Sequence, residues 1–174
     1  MFKALLFAAA ALMSVPAMAQ DYDYQNYEVT DHSILAKGQF VWQPEIAPMG
    51  AIRVRINLAT QMAYVYRSEV LIGVSNISSG MAGYDTPTGY YTIGLKEQMH
   101  RSREYHGAPM PFAQFFDLNR GIALHAGITP GRPASHGCVR LPKAFAQLLF
   151  SETRRGDTVE VVDEAPDLEL ALAY

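Results

Sequence analysis

The chain has 174 residues, with 14 lysines and arginines against 17 aspartates and glutamates, which gives a formal net charge of −3 at pH 7. This charge argues against nucleic acid as a partner, because nucleic-acid-binding domains carry an excess of basic residues. The length suffices for one domain with a sizeable hydrophobic core, and the sequence shows no internal repeat that would indicate a second.

The first 19 residues have the three parts of a secretory signal peptide. Met1–Lys3 is a positively charged start, Ala4–Val15 is apolar except for Ser14, and Ala17–Ala19 is a small-x-small cleavage signal. The apolar run is too short to favour a membrane span, and no later stretch approaches 18 apolar residues. Cleavage would leave 13 basic and 17 acidic residues, a charge of −4. We therefore expect an exported protein with no stable membrane span in its mature form.

The segments that flank the folded part lack the periodicity of helices and strands. Residues 20–38 are rich in Tyr, Asp and Gln and predict a flexible, exposed lead-in. Residues 164–174 predict an acidic, peripheral tail. The folded domain is accordingly expected at residues 39–163.

Alternating apolar and polar residues predict three consecutive antiparallel strands early in the domain. In Ala51–Leu58 every second side chain is apolar, which is the period of a half-buried strand. Met62–Tyr66 and Val70–Ser75 continue the pattern. The short polar connections between these three segments suit hairpins.

The middle of the chain contains a turn, an irregular stretch and a further strand. We interpret Thr86–Gly89 as a structural turn before the β-rich Tyr90–Ile93. Lys96–Pro111 contains histidines, prolines and a glycine without a clear period, and it predicts a long irregular loop of the kind that forms lids. Gly121–His125 alternates again, so we expect a strand that ends at His125.

The last part of the domain predicts one helix and one strand. Leu141-Pro142 begins the helix, because proline is tolerated in the first turn. We expect Phe145, Leu148 and Leu149 to form the buried face of this helix. Arg154 and Arg155 would lie in its last turn, and Gly156 would cap it. Thr158–Val162 closes the domain as a strand. The predicted fold is a single, mostly β domain with one main helix.

Cys138 is the only cysteine in the chain and lies in the segment Ser135–Arg140. In an oxidising exported compartment a lone thiol is either reactive or an intermolecular bridge, since it has no intramolecular partner. The thiolate is the nucleophilic form, and either His136 or the upstream His125 can take the thiol proton. A buried structural cysteine, the plain alternative, needs neither the histidines nor the neighbouring glycine and arginine. The pattern therefore predicts a thiol nucleophile site.

The order of segments from about residue 51 to residue 162 resembles the L,D-transpeptidase catalytic domain of the YkuD type. The matching segments are a strand ending in His125, a Gly/Pro loop, Ser135–Pro142, a helix and Gly156–Val162, preceded by Ser75–Gly80, Thr86–Gly89 and Met110–Phe112. The resemblance implies a β-sandwich with a lid-like loop. His125 and Cys138 are 13 residues apart, and Ala126 stands where a glycine commonly follows the histidine, so the chain is similar to a short-loop variant.

The resemblance implies an enzyme of bacterial cell-wall assembly that acts on the tetrapeptide stems of peptidoglycan. Cys138 would attack the bond between the stem's diamino acid and the terminal D-alanine and form a thioester. An amine would then take the acyl group: a second stem, giving a 3-3 cross-link, the lysine of a wall-linked protein, or a D-amino acid. The resemblance also implies a carbapenem target that uses no cofactor and no metal.

The same resemblance assigns catalytic roles around the cysteine. His125 matches the general base, and an imidazole with a pKa near 6.5 suits the acceptance and return of a proton. His136 is expected to be auxiliary, with the alternative that it is the base itself. Gly137 would let its own N–H and that of Cys138 point at the developing oxyanion.

Two further residues are candidates for substrate binding. Ser135 is expected to hydrogen-bond the loop or the substrate rather than to act as a nucleophile. Arg140 would bind a stem carboxylate through its planar guanidinium, with a salt bridge that holds the loop as the alternative.

Three other functions remain open from the sequence. A cysteine hydrolase on the same fold would use water as the acceptor, either as an L,D-carboxypeptidase or to release a wall protein. A zinc site built from His125, His136 and Cys138 is chemically possible, although the zinc-enzyme motif with a glutamate base is missing. The third alternative is a non-catalytic module that binds the cell wall.

Overall fold

The computed structural model describes residue 35 and residues 37–165. The predicted signal peptide, residues 20–34 of the lead-in and residues 166–174 of the tail lie outside the described residues. The described strands are β1 Phe40–Trp42, β2 Ile52–Asn57, β3 Met62–Arg67, β4 Val70–Asn76, β5 Gly89–Thr92, β6 Leu95–Arg101, β7 Pro109–Asp117, β8 Ile122–Ala126, β9 Val139–Leu141 and β10 Thr158–Val162; the helix α1 is Lys143–Glu152, and Pro44–Ile46 is a 3₁₀ turn. The mostly β fold with one helix is confirmed.

Six strands form one sheet in the order β1-β4-β3-β2-β10-β5. The predicted consecutive strands β2, β3 and β4 pair antiparallel, as their short connections indicated. The closing strand β10 is also confirmed, and it lies between β2 and β5, parallel to β2. Alternation along β2 buries Ile52, Val54 and Ile56 and leaves the intervening polar residues partly exposed.

The other four strands form a second sheet in the order β6-β7-β8-β9. The predicted irregular loop at Lys96–Pro111 was wrong, because β6 and β7 form a hairpin and only the tip at residues 102–108 is a turn. Phe112 has a φ of 58° and interrupts the alternation of β7. Pro109 and Pro111 lie before Gln114–Asp117, the part of β7 that pairs with β8. The N–H groups that the prolines lack therefore remove no hydrogen bond between β7 and β8. Because of these irregularities, the alternation of apolar and polar residues that predicts a strand is missing from this part of the sequence.

The helix α1 differs from its prediction at its exposed side and at its end. Its buried residues are Phe145, Ala146 and Leu149, whereas the predicted Leu148 is half-buried. The helix ends at Glu152, so the two arginines and the glycine follow it: they neither lie in the last turn nor cap it. Instead the Lys96 ammonium donates to the Phe150 carbonyl over 2.7 Å and also to that of Thr153. The ammonium group of Lys96, on strand β6, thus binds free carbonyl groups at the C-terminus of α1, where the helix dipole favours positive charge.

The main hydrophobic core lies between the two sheets and around α1. A second, smaller cluster lies on the other face of the four-stranded sheet and consists of Met110, Ala113, Phe115 and Ala123. Cys138 packs against this second cluster. The cysteine is therefore on the side of the four-stranded sheet that faces away from the main core.

Candidate active site

The parallel pair β8–β9 determines which side chains lie beside Cys138. Leu124 pairs with Val139, and both turn into the main core with no exposed surface. Their neighbours His125 and Arg140 also pair and turn to the opposite face, because side chains alternate along a strand. Cys138 precedes Arg140 by two residues and lies on this face against Ala123. Residues 125, 138 and 140 therefore share one face.

His125 is held in one orientation and in a neutral state. Its side chain lies within the buried strand β8 and the residue is 8% exposed. Nδ1 lies 2.8 Å from the Ala126 carbonyl oxygen, so Nδ1 carries the proton and donates it, and Nε2 is left with a free lone pair. Burial lowers the pKa of His125, and the charges of Arg140 and His100 lower it further, against an opposing effect of the Ala126 hydrogen bond. The imidazole is thus prepared to accept a proton.

Cys138 is half-buried, and its thiol lies 3.7 Å from the Gly121 carbonyl oxygen. Burial raises the pKa of the Cys138 thiol, with a smaller increase from Glu104. The backbone of Ala123 and the charge of Arg140 act in the opposite direction. Since the pKa of the thiol is raised and that of His125 is lowered, both groups are neutral at rest.

Ser135 is directed into the loop that carries the cysteine rather than towards solvent. It is 1% exposed, its hydroxyl donates to the Cys138 carbonyl, and it accepts the Gly137 N–H over 3.1 Å. Gly137 has a φ of +110°, a conformation that favours glycine. In this structure the Gly137 N–H is therefore engaged by Ser135.

A threonine that the sequence indicated only as part of a turn also holds this loop. Thr86 Oγ1 accepts the Gly80 N–H over 2.9 Å and donates to the Gly137 carbonyl over 2.8 Å. Gln61 contributes from the β2–β3 turn, since its amide bonds both the N–H and the hydroxyl of Ser79. No local signal marks these contacts, because their partners are 6 to 51 residues away in sequence.

His136 lies apart from the sheet face that holds His125. It is exposed, and its ring lies between two tyrosines that the sequence did not single out. Tyr84 meets it edge-on and Tyr105 stacks on it, each with ring centroids 4.6 Å away. Tyr105 belongs to the β6–β7 turn, so the tip of that hairpin rests on the cysteine loop through His136. Of the segment predicted to be a lid-like loop, the tip at residues 102–108 is the part that forms a turn, and it is the part that contacts the cysteine loop.

Arg140 is half-buried on the cysteine face, and no described residue forms a salt bridge with it. The aliphatic part of its side chain crosses Gly127, where an added Cβ would lie 2.9 Å from Arg140 Cγ. The glycine thus lets the arginine stem lie flat beside β8. The guanidinium has no acidic partner within residues 37–165, which favours the anion-binding interpretation over the loop salt bridge.

The zinc alternative has no supporting geometry in the described part of the chain. There, no group of three His, Cys, Asp and Glu side chains is arranged to hold a metal ion. His136 stacks with the tyrosines, whereas His125 and Cys138 lie on the sheet face.

No described helix is long and apolar enough to cross a membrane.

Comparison with known proteins identifies relatives of this fold. The family model described as YkuD, the L,D-transpeptidase catalytic domain, matches residues 51–161. An L,D-transpeptidase from Stackebrandtia nassauensis is 31% identical with a TM-score of 0.61, over 67% of this chain and 57% of that one. No curated protein matches the chain significantly.

Two structures from Mycobacterium tuberculosis share the fold at lower identity. An L,D-transpeptidase of strain H37Rv is 23% identical with a TM-score of 0.62, over 65% of this chain and 58% of that one. L,D-transpeptidase 3, in complex with a faropenem-derived adduct, is 22% identical with a TM-score of 0.59, over 65% and 60%. The chain thus spans less than two thirds of the length of these relatives. The predicted fold family is confirmed.

Proposed function

Because this chain belongs to the L,D-transpeptidase catalytic domain family, we propose that it is a peptidoglycan L,D-transpeptidase whose acyl group is carried by Cys138. The observation that supports the proposal is the shared face of the β8–β9 pair, because Cys138 and the neutral, oriented imidazole of His125 both turn to that face. A thiol needs a nearby base to become a nucleophile at neutral pH.

In the proposed first step the thiol proton moves to His125 Nε2 as the sulfur attacks the carbonyl between the diamino acid and D-alanine. The bond from that carbonyl carbon to the D-alanine nitrogen breaks, and His125 returns the proton to the leaving amine. The product is a thioester on Cys138 and free D-alanine. An acceptor amine then attacks the thioester carbonyl, His125 relays its proton, and Cys138 leaves as the thiol.

The oxyanion of each step needs a hydrogen-bond donor that is fixed in advance. The sequence suggested the N–H groups of Gly137 and Cys138 together, but the Gly137 N–H is already bonded to Ser135. We therefore assign this role first to the Cys138 N–H. Ser135 is proposed as a positioning residue, since its hydroxyl fixes the carbonyl of Cys138 and the N–H of Gly137.

Two residues around the nucleophile receive roles in substrate access. Arg140 is proposed to bind a stem carboxylate, because its guanidinium lies on the cysteine face without an acidic partner among the described residues. His136 is proposed as an auxiliary group that holds the hairpin tip through Tyr105. Its exposure and its stacking make it a weaker candidate for the base than His125.

The proposed place of action is the periplasm or the cell wall, reached after cleavage of the signal peptide, and the partners are peptidoglycan stems. A wall-linked protein is a further possible acceptor. In the proposed mechanism Cys138 forms the same thioester whichever acceptor follows. The acceptor must therefore be identified by experiment.

The direct test is incubation of the mature protein with purified disaccharide tetrapeptides, beside Cys138→Ala and Cys138→Ser. We expect 3-3 linked dimers from the wild type and none from either variant. Tripeptides without dimers would instead identify a hydrolase. Unchanged substrate would contradict both enzymes and favour a non-catalytic wall-binding module.

A carbapenem provides an independent assay of the thiol. A related structure carries a faropenem-derived adduct, and because carbapenems contain the same reactive β-lactam ring, we expect a carbapenem to acylate Cys138. We expect one adduct in the intact mass of the wild type and none in Cys138→Ala. An adduct that persists in Cys138→Ala would refute the assignment of the nucleophile.

A further inference from the structure

The outer face of the six-stranded sheet, which is the face turned away from the main core, contains buried apolar side chains. Its residues on the central strands include Arg53, Arg55, Asn57, Met62, Tyr64, Tyr66, Val74, Asn76, Thr158, Glu160 and Val162. Met62 is 4% exposed and Val74 is 2% exposed. Helix α1 and the second sheet pack on the opposite face, so they do not account for this burial.

The burial is concentrated over the middle of the sheet. Val41 and Val74 are directly paired across β1 and β4 and turn to the same outer face. Val41, on the edge strand, is 39% exposed, whereas Val74 is 2% exposed. A sheet face in contact with water normally carries polar residues, so two nearly inaccessible apolar side chains indicate that this face is covered.

The N-terminal side of the chain reaches the sheet at this same face. The Asn76 side-chain amide donates to the Leu35 carbonyl over 3.2 Å and also contacts the Met62 sulfur at 3.5 Å. The backbone N–H of Asn76 donates to the Gln39 carbonyl. The polypeptide that precedes Leu35 therefore begins beside Met62, at one end of β3 and β4.

The segment before Leu35 has the length and the side chains to cover the face. Residues 20–34 follow the predicted cleavage site and contain Tyr22, Tyr24, Tyr27, Val29 and Ile34. Fifteen residues span up to about 50 Å when extended, whereas a six-residue strand such as β3 is only about 20 Å long. The segment is therefore long enough to run from one end of the strands to the other. The tyrosines can bury their rings on apolar neighbours and keep their hydroxyls in water.

We propose that the outer face of the six-stranded sheet is the docking surface of the segment Gln20–Ile34 of this same chain. The segment stabilises the domain from the side of the sandwich that is opposite to Cys138. Docking therefore leaves the thiol face open, and the proposal does not rest on the proposed function.

Oxidation of methionine by dilute hydrogen peroxide, followed by peptide mass spectrometry, tests the docking in the mature protein. A thioether oxidises at a rate that follows its exposure, so Met62 reports on the cover. Met49 is 82% exposed and serves as the fast control, and Met110, 7% exposed on the cysteine side, serves as the slow control. We expect Met62 to oxidise slowly in the mature chain.

The decisive variant replaces Tyr22, Tyr24 and Tyr27 by serine, and the matched control is Leu118→Ser, on an apolar residue that is 59% exposed in the turn between β7 and β8 of the other sheet. We expect the triple variant to oxidise Met62 at least about fivefold faster, with Met49 and Met110 unchanged and carbapenem acylation of Cys138 retained. A chain that begins at Leu35 should give the same increase together with a lower melting temperature.

Three outcomes would overturn the proposal. Equal Met62 oxidation in the mature chain, the triple variant and the shortened chain would mean that the segment does not cover the face. A faster rate only after deletion of residues 166–174 would assign the cover to the C-terminal tail. Protection that disappears on dilution of the mature protein would assign it to a second copy of the chain.

Discussion

The two sides of the cysteine are built in different ways. On the sheet side, His125 lies in the buried strand β8 with Nδ1 fixed by a backbone carbonyl. On the loop side, His136 is exposed, and its ring contacts the edge-on ring of Tyr84 and the stacked ring of Tyr105. Chemistry that transfers a proton requires a fixed partner, whereas substrate entry requires a side that can open. The difference teaches that the histidine nearer the cysteine in sequence, His136, is less suited to proton transfer than His125, which lies 13 residues away.

The strongest test of this division replaces each histidine by glutamine in turn. We expect His125→Gln to slow carbapenem acylation by about 10²–10⁴-fold, because the general base is lost. His136→Gln should slow it by less than about tenfold, since only a stacking contact is lost. The measurement is the rate of adduct formation by mass spectrometry, with melting temperature as the folding control. The reverse order of effects would make His136 the base.

The pH dependence of acylation sharpens the same comparison. The pKa of His125 is lowered from 6.5 and that of Cys138 is raised from 9.0, both first by burial. The neutral thiol and neutral imidazole therefore coexist from below pH 6.5 to above pH 9.0. We expect a rate plateau across this range and a decrease only at lower pH, where His125 becomes protonated. In His125→Gln the rate should instead rise about tenfold per pH unit, because only thiolate reacts. A wild-type midpoint between pH 7 and pH 8 would contradict this assignment.

The loop that carries the cysteine is held by Thr86, whose hydroxyl bonds both Gly80 and Gly137. Thr86→Val leaves the partly buried Gly80 N–H and the buried Gly137 carbonyl without the threonine hydroxyl, and an unsatisfied buried group costs about 1–3 kcal/mol. We expect a lower free energy of unfolding in urea and slower acylation. Thr88→Val, at an exposed position two residues away, is the matched control and should change neither.

The sheet side also contributes the proposed carboxylate site. Arg140→Lys keeps the charge but loses the planar, two-pronged geometry, so we expect KM for the tetrapeptide to rise by about tenfold with a smaller change in kcat. Gly127→Ala should act in the same direction, because its Cβ would displace the arginine stem. An unchanged KM in both variants would remove Arg140 from the substrate site.

The smallest effect is expected on the loop side. Tyr105→Leu removes the stacking on His136, and such aromatic pairs contribute about 0.5–1.5 kcal/mol. We expect faster hydrogen exchange of the backbone amides at residues 102–108 and a change of a few-fold in KM, with acylation by excess carbapenem unchanged. Tyr90→Leu is the exposed control. Loss of acylation in Tyr105→Leu would show that the tip also positions the nucleophile.

The sequence predicted those parts of the fold whose signal is local. Alternation marked β2, β3, β4, β8 and β10, because residues two apart in a strand share a face. It failed at β6–β7, where Phe112 has a positive φ and two prolines interrupt the period. The helix end was misplaced for a similar reason: the cation that satisfies its last carbonyls comes from Lys96, 54 residues before Phe150.

The candidate site divides in the same way. Its composition, a lone cysteine with histidines, glycine and arginine in a family-like order, was readable from the chain because those residues lie close together in sequence. Three features of the site were decided only by the tertiary structure. His125 is the histidine that is buried and oriented, and the Gly137 N–H is bonded to Ser135. Thr86, Tyr84 and Tyr105 support the loop. Each of these facts depends on burial or on a contact between separate parts of the fold, and sequence patterns record the period of an element but not its neighbour.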